Sequence, residues 1–180
     1  MTPARQIGLV SLALFLASVP FANWLIQHIG TECVPGGPCL VPVAPGLMAP
    51  SGVLAAGAAL VLRDVVQRCL GAAWGLGAIV AGTLLSALIA PPALVLASGA
   101  AFLLSELADF ALYTPLQRRG LLLAVAVSSM AGLVVDSVVF LSLAFGSLQF
   151  LGGQVVGKAW AVLFSLPLIR LLRRVAPTPA

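Results

Sequence analysis

Of the 180 residues, 61% are hydrophobic and only 8% are charged, and the mean hydropathy is +1.15. Soluble domains carry charge at about a quarter of their positions, so water is not the main solvent of this chain and a polytopic membrane protein is indicated. The net charge of +4 is spread along the chain, with no basic, aromatic-interleaved surface of the kind that binds nucleic acid.

The first apolar segment runs over Ile7–Ile29. Its beginning, "MTPARQIGLVSLALFLASVPFA", has the basic start, apolar stretch and small residues of a secretory signal. Against cleavage, Pro20 would sit three residues before a cut after Ala22, and the apolar pattern continues through Trp24, Leu25 and Ile26. An uncleaved first span is expected. A loop over residues 30–49 follows, rich in Gly and Pro and carrying Cys33 and Cys39. A disulfide is permitted there if the loop faces an oxidising compartment, and two unpaired thiols are equally compatible with it. No metal is expected, because the chain has a single His and zinc sites require four convergent ligands.

The second span, Pro50–Leu70, contains Arg63, Asp64, Gln67, Arg68 and Cys69. The third and fourth, Trp74–Ala90 and Ala93–Tyr113, are divided only by "IAPPALVLASG", where Pro91 and Pro92 predict a tight turn. Leu121–Phe145 and Phe150–Leu172 complete the set, each near the length a helix needs to cross the hydrocarbon core. The expectation is an all-α bundle of six transmembrane helices forming one transporter-like domain over residues 1–180.

Positively charged flanks stay on the cytoplasmic side. Arg5, Arg63 with Arg68, Arg118 with Arg119, and Arg170 with Arg173 and Arg174 mark every second connection, and the remaining connections contain no Lys or Arg. Both termini are therefore expected in the cytoplasm.

Ionisable groups at membrane depth are costly and face the bundle interior, usually on a substrate or ion path. Those here are Arg63, Asp64, Glu106, Asp109, Asp136 and Lys158, accompanied by Asn23, Gln67, Ser105, Ser137 and Gln154. Glu106 and Asp109 share a helix face that also carries Tyr113, and Gln154 shares one with Lys158. Asp64 has the spacing to pair with Arg68, and Asp136 can pair with Lys158. The plainer reading is that these groups only hold helices together. No enzyme is indicated: His28 has no nucleophile to serve, and metalloprotease, CxxC and phosphate-loop motifs are absent from the sequence.

The segments "ANWLIQHIG", "APSGVLAAGAALVLRDVVQRCLG", "SELADFALYTPLQRRG" and "GLVVDSVVFLSLAFGSLQFLGGQVVGK" resemble the VUT family, the queuosine precursor transporters of bacteria, in its compact form. The resemblance extends from Ala22 to Lys158, and S-E-x-x-D-F, V-D-S-x-x-F and G-Q-x-x-x-K are its most specific elements. It implies a bacterial inner-membrane protein that takes up deazaguanine bases, with family polar positions at Asp64, Ser105, Glu106, Asp109, Asp136, Ser137, Gln154 and Lys158. The chain departs from the family in span two, where "RDVVQRCLG" has Gln67 and Arg68 in place of Thr and Glu, and Glu106 stands where Gln is common.

A guanine-like edge offers paired N–H donors to a carboxylate. Glu106 or Asp109 is the expected partner of that edge, with Gln154, Asp64 and Asn23 beside it and Phe110, Tyr113 or Trp160 over the ring. The plainer reading of these aromatics is lipid-facing or interfacial packing. Asp136, Lys158 and Arg63 are the expected coupling or gating groups. No cofactor is implied. The partners are a purine-like base and the bilayer, while energising subunits and homo-oligomerisation stay open. The competing readings are a substrate-binding membrane component of an ATP-driven uptake complex and a membrane scaffold that transports nothing.

Overall fold

The computed structural model describes residues 2–35 and 37–175. Met1, Gly36 and the last five residues, which the sequence reading includes in the transmembrane domain and its loop, lie outside that description, and Arg173 and Arg174 are placed by backbone alone. The order is α1 (Pro3–His28), β1 (Glu32–Cys33), β2 (Cys39–Ala44), β3 (Leu47–Pro50), α2 (Val53–Leu70), α3 (Ala72–Ile89), a 3-10 turn (Pro92–Leu94), α4 (Val95–Leu116), α5 (Leu121–Phe145) and α6 (Leu151–Val175).

The helix ends have local causes. Thr2 caps α1 by accepting a hydrogen bond from the Arg5 amide, and Pro3 occupies the first turn, where its missing N–H costs nothing. Ala90, which precedes a proline, is extended and so ends α3. Gly71, at φ +100°, lets the chain reverse between α2 and α3, and Gly146, at φ +61°, closes α5 in the left-handed conformation. Each helix boundary falls within a few residues of the corresponding apolar segment.

Five of the six helices are long and apolar enough to cross a membrane; the sixth, α2, is not among them. Its Arg63 and Asp64 are fully buried and Arg68 nearly so, and α2 packs against all five other helices. A helix with this charge content belongs in the middle of a bundle, where neighbours shield it from lipid. The other helices present Leu14, Leu84, Leu88, Leu96, Phe164 and Leu168 outward, as lipid contact allows. Two apolar clusters fill the interior: Leu60, Val61 and Val65 of α2 with Tyr113, Val125, Leu133, Val162 and Ile169, and Phe15, Ala59, Val66 and Ala78 on the α1/α3 side.

Residues 30–49 are not an irregular loop. They build a three-stranded antiparallel sheet in the order β1-β2-β3, with Cys33 opposite Cys39 and Val41 opposite Ala49. Strands this short, with Pro42 and Pro50 inside them, carry no readable period-two signal. Cys33 and Cys39 are joined by a disulfide. The sheet lies across one end of the bundle. Ser51 Oγ donates to Leu25 O at 2.7 Å, Thr31 N to Leu40 O at 2.8 Å, and Trp160 Nε1 to Val43 O at 3.1 Å, so it straps α1 and α6 to the start of α2.

Close helix crossings depend on glycine. A Cβ on Gly57 would lie 2.7 Å from the Lys158 carbonyl oxygen and 2.9 Å from Ala161 Cβ, so α2 and α6 meet backbone to backbone. Gly57→Ala should therefore lower stability by about 1–3 kcal/mol through overpacking. Gly77→Ala, whose new Cβ meets nothing within 4 Å, should be neutral or gain about 0.5 kcal/mol. Thermal unfolding of the detergent-purified variants separates the two outcomes.

Candidate functional site

The buried charges form two groups, one above the other along the bundle. The deeper group is centred on Arg63. Its Nε donates to Glu106 Oε2 at 3.1 Å, Nη1 to Gln67 Oε1 at 2.8 Å, and Nη2 to Asp109 Oδ1 at 2.5 Å, while Nη2 also lies 2.8 Å from Asp64 Oδ1. All of these side chains are between 0% and 1% exposed. Gln67 passes the network on to Thr114 Oγ1 at 2.9 Å, and Ser128 Oγ donates to Asp64 Oδ2 at 3.4 Å. The guanidinium carbon sits 5.7 Å from the Phe110 ring centroid and 5.6 Å from that of Tyr113, near enough for cation–π attraction. Helical spacing explains the convergence. Glu106, Asp109 and Tyr113 occupy one face of α4, Arg63 and Gln67 one face of α2, and a planar fork with five donors can serve all the acceptors at once.

The second group lies nearer the hairpin. Lys158 Nζ donates to Asp136 Oδ2 at 2.5 Å, to Ser137 Oγ at 2.9 Å and to Gln154 Oε1. Lys158 is 2% exposed and Asp136 20%, because Asp136 borders a cavity of about 100 Å³. Asn23, Gln154 and Lys158 also line that cavity, and Phe102 and Phe140 contribute rings. Asn23 donates to Val19 O at 3.0 Å. From Gly52 to Ala59 on α2 the cavity wall extends about 10 Å at 1.5 Å per residue. Ala59 and Phe102, which line it, precede Arg63 and Glu106 by one helical turn, so the Arg63 cluster lies directly beneath the cavity.

This arrangement changes several expectations. Glu106 and Asp109, read from the sequence as the ligand's partners, do not line the cavity: both are engaged by Arg63 and closed off from solvent. Asp64 is held in the same way, paired with its chain neighbour Arg63. Phe110 and Tyr113 flank the guanidinium instead of a ligand. Trp160 points outward, 42% exposed and stacked on Phe164 at 5.7 Å. Gln154, Asn23, Asp136 and Lys158 do stand on the cavity wall, and the Asp136–Lys158 pair is formed. Sequence reasoning missed Ser128, Thr114, Phe102 and Phe140. Ser128, two turns before Asp136 on the same helix, was a readable signal, whereas the two phenylalanines look like any membrane aromatic.

A bundle of long apolar helices around buried charges, with a cavity bordered by Asp136, Gln154 and Lys158, defines a multi-pass membrane protein. The profile of the family described as "Putative vitamin uptake transporter" matches residues 83–180, more than half of the chain. The chain belongs to that vitamin uptake transporter (VUT) family, which is a family of transporters and not of enzymes. Comparison with curated proteins and with solved structures returns no match. The matched residues carry Glu106, Asp109, Asp136, Gln154 and Lys158; Arg63 and Asp64 precede them.

Replacing Arg63 by Met removes the group that pairs with all three buried carboxyl groups, which should cost about 3–5 kcal/mol. Arg63→Lys should recover little of this, since one ammonium cannot span the acceptors of the fork. The yield of folded protein and the unfolding temperature report both effects.

Proposed function

We propose that this protein takes up a small, flat nitrogen heterocycle across the bacterial inner membrane, the ligand being a deazaguanine base of the queuosine-precursor type or a related purine-like base. The observation that carries this reading is that Asp136, Gln154, Lys158 and Asn23 line one cavity together with the rings of Phe102 and Phe140. Its volume of about 100 Å³ is far below the ~300–1,000 Å³ of drug-sized pockets, which favours a compact planar ligand. The Asp136 carboxylate accepts from ring N–H and exocyclic amine groups, and the Gln154 amide, whose oxygen is taken by Lys158, donates from its nitrogen to a carbonyl or ring nitrogen. Phe102 and Phe140 offer flat apolar surface to the ring.

On this reading Asp64, Glu106 and Asp109 act on the ligand through Arg63 and the shape of the cavity floor, not by touching it. The hairpin end faces outward and both termini are cytoplasmic. Two features support that orientation: the hairpin side carries no Lys or Arg in its connections, and the Cys33–Cys39 disulfide suits an oxidising compartment.

Binding of guanine and of cyano- and aminomethyl-substituted deazaguanines to the purified protein tests the site. Gln154→Ala should weaken binding by about 5- to 150-fold, the equivalent of losing one buried hydrogen-bonding group worth about 1–3 kcal/mol, with little change in unfolding temperature. Equal affinity in the variant and the wild type would remove Gln154 from the site. Uptake by the protein alone in liposomes is expected without ATP; uptake that appears only with added ATPase subunits would replace this reading with that of a binding component.

A further inference from the structure

The cavity accounts for Asp136, Gln154 and Lys158, but the Arg63 cluster remains unbalanced in charge. Facing one another there are Arg63, Gln67 and Arg68 of α2, Glu106, Asp109 and Tyr113 of α4, and the hydroxyl of Ser128 from α5. Among the described residues Asp136 also acts on Glu106, and it is itself paired with Lys158. The sequence of α3 contains no ionisable residue, and Arg5 and His28 of α1 and Arg170 of α6 are exposed. Among the described residues two guanidinium groups, Arg63, which pairs with all three, and Arg68, which lies beside Tyr113, thus stand with three carboxylates, Asp64, Glu106 and Asp109, all of them buried. One uncompensated negative charge in such a place costs far more than binding a proton.

The geometry also indicates where a proton would sit. Asp64 Oδ1 and Asp109 Oδ1 approach the same nitrogen, Arg63 Nη2, at 2.8 and 2.5 Å, which sets the two carboxyl groups side by side. Asp109 Oδ2, fully buried, receives no hydrogen bond from any described residue. A proton shared between the two carboxyl groups supplies the missing donor and makes the cluster neutral.

We propose that Asp64 and Asp109 together hold one exchangeable proton, and that this proton is the ion whose movement drives ligand uptake. The coupling role rests on the transport reading above; the proton site does not. The link between the two sites is mechanical. Ala59 and Phe102, on the cavity wall, stand one turn from Arg63 and Glu106, so losing the proton recharges a dry cluster immediately under the ligand. That charge is tolerated only when the bundle opens to admit water, which ties proton release to a change in the cavity floor. The proton enters from the hairpin side with the ligand and leaves on the other side.

The full chain has five Asp and Glu residues, few enough for infrared spectroscopy in lipid to resolve one carboxylic acid. Wild type at neutral pH should show an acid carbonyl stretch that shifts on deuteration. Asp109→Asn, which leaves two cations facing two carboxylates, should lose it, as should Asp64→Asn; exposed Glu32→Gln should keep it. In proteoliposomes loaded with a pH indicator, an inward proton gradient should raise wild-type guanine uptake several-fold and the lumen should acidify with uptake. Asp109→Asn should lose the stimulation by the gradient, with its unfolding temperature followed in parallel. Absence of the acid band, or a band that survives both substitutions, overturns the proton site. A band that behaves as expected, together with base exchange indifferent to gradients of either sign, overturns the coupling role. The same band in a protein that exchanges neither guanine nor deazaguanine bases upholds the proton site and overturns the transport reading, and with it the coupling role.

Discussion

One guanidinium inside an apolar bundle constrains most of this architecture. Arg63 cannot face lipid, where a charge at mid-depth is prohibitively costly, and it cannot be buried alone. α2 therefore occupies the centre, with two carboxylates from α4, one from α2 itself and an amide one turn along to absorb its donors. The rings of Phe110 and Tyr113 close over the remaining faces. The helices around α2 meet two demands: they supply counter-groups inward, and they present leucine, valine and phenylalanine outward.

The cavity depends on that cluster and on how closely the helices approach. Lys158 is held against Asp136 because α6 crosses α2 at Gly57, where hydrogen is the largest substituent the crossing admits. Gly132 plays a similar part for α5, since an added Cβ would meet Asp109 Cβ at 3.1 Å and the Ser105 carbonyl oxygen at 3.3 Å. The hairpin, stapled by its disulfide and bonded to α1, α2 and α6, covers the end where the cavity lies. On the proposed reading a ligand there meets Asp136, Gln154 and Asn23 and stands above a charged floor that it does not touch. Such a separation would suit a carrier, because the cavity wall and the Arg63 cluster are one helical turn apart and joined by helix.

Much of the bundle was legible in the sequence because a bilayer imposes length and apolarity on any segment that crosses it. The six segments, the break at Pro91 and Pro92, the shared faces of Glu106 with Asp109 and of Gln154 with Lys158, and the pairing of Asp136 with Lys158 all follow from helical period and the cost of buried charge. The hairpin was not legible, because strands of two to six residues interrupted by proline have no period to detect. Nor was the partner of the α4 carboxylates. Their face could be read from spacing, but whether it met a ligand or Arg63 depended on the rotation of α2 relative to α4.

By itself, then, the sequence determined that this chain is an all-α membrane protein, which residues lie at depth and which of them share a helix face, because those properties are local and set by the solvent. Only the tertiary structure decided that Arg63 claims Asp64, Glu106 and Asp109 while Asp136, Gln154 and Lys158 border the cavity. The physical reason is that a helix in lipid can turn about its own axis without changing its burial pattern greatly, whereas each rotation gives a buried charge a different partner. Glycine contacts and the reach of one arginine fork select the rotation that is observed.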